Sequence, residues 1–142
     1  MGAGVAAAVT FVWLGMVLGI SFLEAPLKFR APGLTLPVGL GIGRLVFRAL
    51  NLVEAGLLVV AVVAAAVAGA STTAWVLVVV AAVVLAVQLL AVRPALNRRT
   101  DAVLAAADPA EVPRSRAHFA YVGLELVKVV VLIALGAALL AS

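Results

Sequence analysis

The chain has no cysteine, which excludes disulfides, thiolate metal sites and thiol redox chemistry. It holds one histidine and one tyrosine. Charged residues are 11% of its 142 residues, where soluble domains carry about 25%. No lysine or arginine precedes Lys28. A cleaved signal peptide opens on a positively charged region, so the apolar N-terminal run reads as a retained helix. Alternating aromatic and basic residues that would stack on bases are also missing. Nucleic acid is therefore not an expected partner, despite a net charge of +4 and a pI near 10.8.

What is abundant is apolar. Hydrophobic residues make up 67% of the chain and the mean hydropathy is +1.33, against about 45–50% apolar in soluble domains. The length suits a single domain, 1–142. A membrane span takes about 20 mostly apolar residues. Four are predicted, at about 3–27, 45–70, 74–92 and 118–140. The expected fold is all-α, a polytopic membrane protein built as a four-transmembrane-helix bundle.

Pro26 and Arg93-Pro94 are expected to stop the first and third spans. Residues 28–44 then form a loop whose glycines at 33, 39, 41 and 43 make a flexible turn. They are not a nucleotide loop, because Arg44 stands where G-x-G-x-x-G needs glycine and no strand precedes. Gly69 to Thr73 reads as a tight turn with Ser71 or Thr72 as N-cap. Residues 93–117 form the longest loop, with a short surface helix from Asn97 through Ala107 capped by Thr100 or Asp101. Trp13 is expected inside the bundle. Gly15 and Gly19 make a G-x-x-x-G step that admits a second helix, although glycine is common in membrane helices generally.

Basic residues cluster around two loops: Lys28, Arg30, Arg44 and Arg48 at the first, and Arg93, Arg98, Arg99, Arg114 and Arg116 at the third. The second turn and both termini have none. The positive-inside rule puts loops one and three in the cytoplasm and both termini outside the cell membrane.

The polar residues fall on stripes. Arg114, His118, Tyr121, Glu125 and Lys128 step by four, three, four and three along one helix face. Arg44, Arg48, Asn51 and Glu54 share a face of the second helix, with Glu54 about 15 Å along from Arg44. Glu24, Lys28, Gln88 and Arg93 belong to the same half. Burying Glu125 and Lys128 at a helix centre costs about 5–7 kcal/mol on the insertion scale. The 13 Phe, Leu, Ile and Val residues from Phe119 to Leu140 return at most about 4–8 kcal/mol. Insertion of this helix alone is near break-even, so partners on other helices should decide it. Glu54 is the expected cross-helix partner of Lys128, with Glu125 pairing to Lys128 within the helix and Arg44 or Arg48 facing Glu125.

Ionisable residues within spans are functional-site candidates. The candidate ligand or ion site takes Glu54, Glu125 and Lys128 as central charges, with Asn51 beside them. Arg44, Arg48, His118 and Tyr121 line its entrance. The bland alternative is a network that only fixes helix register. His118 reads as a rim residue, and Tyr121 as an interfacial residue or a hydrogen-bond partner of Glu125. One histidine with scattered glutamates does not make a metal cluster or a bis-His haem site. No cofactor, metal or catalytic residue is expected.

Trp13-x-Gly15, Ala25-Pro26-x-x-Phe29, Gly43-Arg-Leu-Val-Phe47 and the helix with Asn51 and Glu54 resemble the small four-helix membrane proteins of domain of unknown function 4149. These are similar to the eukaryotic transmembrane protein 205 group. His118 and its polar face look like that family's His-x-x-Ser…Asn helix, with Tyr121 and Glu125 standing where Ser and Asn are expected. The resemblance covers most of the chain and implies four spans. Drug and metal-drug resistance has been linked to the eukaryotic group, but no mechanism is implied.

The leading expectation is a membrane protein that binds or transports a small polar solute or ion, alone or as a homodimer. The alternative is a structural subunit of a larger membrane complex. A membrane enzyme acting on a lipid-soluble substrate is the weaker third reading, since no nucleophile or metal set is recognisable.

Overall fold

The computed structural model describes residues 1–108 and 116–142, and among them all regular structure is helical. Four long helices, α1 (Gly2–Lys28), α2 (Leu36–Ala68), α3 (Thr72–Ala105) and α4 (Arg116–Leu140), are each long and apolar enough to cross a membrane. The 33 and 34 residues of α2 and α3 correspond to about 50 Å of helix. A bilayer core is about 30 Å thick, so both helices are long enough to reach well beyond it.

Those lengths correct three sequence expectations. First, α2 begins at Leu36, not near 45, and its N-cap Thr35 accepts from Val38 N at 3.4 Å with Pro37 in the first turn. The glycines at 39, 41 and 43 are therefore helical. Gly39 and Gly43, one turn apart, seat the Phe29 ring and the Lys28 ammonium: a Cβ on Gly39 would collide with the ring, and one on Gly43 would lie 3.0 Å from Lys28 Nζ.

Second, Pro26 and Pro94 do not end their helices. Each follows a widened, π-helical stretch, Leu18–Glu24 in α1 and Gln88–Val92 in α3. A helical proline donates no hydrogen bond and its ring crowds the carbonyl four residues back. Opening the preceding turn relieves that crowding and lets the helix continue. The third correction follows from the second. The expected surface helix from Asn97 is the last part of α3, and Thr100 sits within it, donating to Leu96 O at 3.2 Å.

The α2–α3 turn is as expected. Gly69 adopts the left-handed conformation (φ 64°) that ends a helix without a Cβ penalty, and Ser71 caps α3 by accepting from Ala74 N at 3.2 Å.

Helix α1 packs against α2 and α4, and α3 closes against α4. Near the termini Ala6 and Ala7 meet Ala64, Ala74, Val78, Leu135 and Leu139. Further along, Trp13, Leu14 and Val17 meet Ala81, Leu85, Val131 and Leu132. Alanines make up most of the layer near the termini, which suits close approach between membrane helices. Outward, Leu90 is 80% and Val67 78% exposed, while Glu54, Gln88 and Lys128 are fully buried. That inversion of the soluble pattern suits a multi-pass membrane protein. Gly15 and Gly19 have open space where a Cβ would stand, so their step takes no part in packing within the chain.

Ala81 has no exposed surface, whereas Ala86 on the same helix is exposed. Ala81→Leu is expected to destabilise the bundle by about 1–3 kcal/mol through overpacking, and Ala86→Leu to leave it unchanged, when unfolding is followed in mixed detergent micelles.

Candidate functional site

All four helices contribute to one buried polar cluster. Lys128 Nζ on α4 donates to Glu54 Oε2 on α2 and to Glu125 Oε1 one turn back on α4, both at 2.6 Å. Glu54 also accepts from Trp13 Nε1 of α1 at 2.7 Å and from Asn51 Nδ2 at 3.1 Å. Glu125 accepts from Gln88 Nε2 of α3 at 2.8 Å and from Ser21 Oγ of α1 at 2.5 Å. Every carboxylate oxygen of Glu54 and Glu125 therefore holds at least one donor, which makes so deeply buried a charge cluster tolerable. With all three groups ionised, the cluster has one carboxylate more than ammonium.

Two of these contacts come from residues in the widened turns. Ser21 lies inside the first π stretch and Gln88 opens the second. Both converge on Glu125.

Beside the cluster lies a cavity of about 470 Å³, bounded by α1, the first turns of α2, the end of α3 and the start of α4. Its lining includes Ser21 and Glu125, together with Phe22, Phe29, Phe47 and Tyr121. Lys28, Arg44, Arg93, Arg99 and His118 bring basic groups to it. Arg93 lies over the rings of Tyr121 and Phe47, at 4.6 and 5.0 Å from their centroids, within cation–π range. Phe47 meets Tyr121 edge to face at 5.6 Å.

The expected site residues separate into two groups. Glu54, Asn51, Glu125 and Lys128 come together in the cluster, and the anticipated Glu54–Lys128 and Glu125–Lys128 pairs both form. Only Glu125 of these four also lines the cavity. Arg44, His118 and Tyr121 line it too, but Arg48 is exposed and takes no part. Neither arginine faces Glu125 as expected. Arg44 pairs with Asp101 at 2.6 Å and donates to Asn97 O at 3.0 Å, because the extended α3 brings both within reach. Tyr121 is buried, with its hydroxyl 3.5 Å from Asn51 Nδ2. His118 is exposed at the cavity rim, its ring against Phe119. Arg114 lies outside the described residues. Among the described residues, no three His, Asp or Glu side chains are grouped to hold a metal ion.

No family model, curated protein or solved structure matches this chain. The resemblance noted above thus rests on its short motifs, and the geometry has to carry the functional reading.

Sequence reasoning placed Trp13 in the bundle but missed its bond to Glu54, and it passed over Ser21. An indole N–H buried in an apolar helix needs an acceptor, and that was the available signal for Trp13. Ser21 follows Leu14 by two helical turns on the same face, and that was its signal.

Removing one member of a buried ionic cluster strands the others. Lys128→Met is expected to cost about 3–5 kcal/mol in micelle unfolding. The triple variant Glu54→Gln, Glu125→Gln, Lys128→Met should recover most of that loss. A single-variant cost under about 1 kcal/mol, the range of exposed pairs, would contradict the cluster's role in holding the bundle.

Proposed function

We propose that this chain is a small multi-pass protein of the cell membrane that binds a small polar solute or ion at its cytoplasmic end and serves its transfer. The solute occupies the cavity between the helix ends, and the Glu54–Lys128–Glu125 cluster forms a fixed polar wall behind it. The observation that carries this reading is continuity: the cavity of about 470 Å³ reaches Ser21 and Glu125, the outermost members of the cluster. Its size lies within the range of about 300–1,000 Å³ of small-molecule sites, and a mostly apolar wall with a few convergent polar groups is their usual make-up. Sidedness rests on the basic residues at this end, by the positive-inside rule. Membership of the domain of unknown function 4149 family belongs to the same proposal.

A second reading, a subunit of a larger membrane assembly, is favoured by one observation. The Gly15/Gly19 step faces away from the bundle with open space over both glycines, a geometry that admits a neighbouring helix.

The absence of cysteine makes thiol labelling clean. Ala25→Cys, in the cavity wall, is expected to react readily with a small water-soluble thiosulfonate. Ala65→Cys, in the core, should stay inert. Equal inertness at both positions means no solute enters, and the binding reading fails.

Sidedness is checked on intact cells with an impermeant maleimide. Ser71→Cys is expected to label from outside, and Arg30→Cys only after the membrane is opened. The reverse pattern would invert the topology.

A further inference from the structure

Building on the solute-binding reading, we propose that the cavity takes an oxyanion carried on an apolar body, a carboxylate or phosphate ester, and that Arg93 is the group that holds it. Four observations converge on this residue. Its guanidinium is held by the rings of Phe47 and Tyr121, which limits its freedom before any ligand arrives. Its Nε and Nη2 are buried and have no hydrogen-bond acceptor among the described residues. These two N–H groups lie side by side on one edge of the guanidinium, the fork that meets a carboxylate or phosphate with two parallel hydrogen bonds. Buried donors without acceptors are destabilising and call for a partner. Finally, Arg93 lines the cavity and makes no ion pair among the described residues.

The neighbouring charges favour the same sign of ligand. Arg44 Nη2 is engaged by Asp101 and Asn97 O while its Nε has no acceptor, and Lys28 lies 3.8 Å from Glu24; Arg93 differs from Arg44 in having both donors of one edge open. Glu125 is the carboxylate in the wall, and both of its oxygens already hold donors from Lys128, Gln88 and Ser21. It therefore offers a cation little. The apolar part of the ligand would rest on Phe22, Phe29, Leu40 and Leu96, which also line the cavity. A free organic anion and a phospholipid phosphate present the same chemistry to this fork.

The test uses the full chain purified in a non-ionic detergent, with benzoate, phenyl phosphate, benzyl alcohol and benzyltrimethylammonium as calorimetric probes. Bound phospholipid is measured by phosphorus content. Benzoate or phenyl phosphate is expected to bind saturably, about tenfold or more tighter than the neutral and cationic probes. Arg93→Gln should lose that preference, and Arg93→Lys should keep part of it. If Arg93→Gln does not fold, competition on the unaltered protein decides: phenyl phosphate must displace benzoate and benzyltrimethylammonium must not. Phospholipid retained by the unaltered protein and lost from Arg93→Gln would identify a headgroup phosphate as the occupant. Tighter binding of the cation or the alcohol, or anion binding unchanged in Arg93→Gln, overturns the assignment and leaves the solute-binding reading standing. Failure of every probe together with absence of retained lipid removes both.

Discussion

The Lys128 ammonium lies between two carboxylates inside an apolar bundle, and every helix supplies a group to the arrangement. Apolar burial cannot hold membrane helices together, because the lipid offers the same environment as a neighbouring helix. Packing and polar contacts have to select one geometry. Here α2 and α4 are joined through Glu54 and Lys128, α1 through Trp13 and Ser21, and α3 through Gln88. A slide of one residue along any helix would leave a charge or an amide without its partner. Buried ion pairs are weak evidence for stability in themselves. Their effect here is to make alternative registers expensive.

The cavity lies beside two features of the long helices. Proline in α1 and in α3 forces the preceding turn open, yet both helices continue past it. The extended ends of α2 and α3 are then fastened to each other by Arg44, Asp101 and Asn97. Between these ends and the start of α4 the side chains do not fill the space. Four of the nine basic residues that argue for sidedness, Lys28, Arg44, Arg93 and Arg99, also furnish the cavity wall.

Much of this was legible in the sequence. Helical spacing put Tyr121, Glu125 and Lys128 on one face and Asn51 and Glu54 on another. Comparing depths then paired Glu54 with Lys128 correctly, because position along an α-helix is fixed by residue count. Contacts that depend on how helices rotate about one another were not legible. Ser21 and Gln88 continue the buried faces marked by Leu14 and Val17 and by Ala81 and Leu85, but helical spacing alone does not say that both meet Glu125. Pro26 and Pro94 point to helix stops in the sequence, because the usual rule assigns proline in a helix a high cost. A bundle that repairs the freed backbone groups sets that rule aside. The expectation that Arg44 or Arg48 faces Glu125 fails because Asp101 and Asn97, expected on a separate surface helix, belong to the continuous α3 and engage Arg44. The glycines at 39 and 43 looked like flexibility, since a groove cannot be recognised until its occupant is known.

That groove bears on how the cavity mouth behaves. Phe29 and Lys28 are keyed into adjacent notches on α2, so the hairpin joining α1 to α2 is indexed against its own second arm, like a bolt in a slotted plate. The aperture beside it is consequently bounded by a fitted contact between the end of α1 and the first turns of α2.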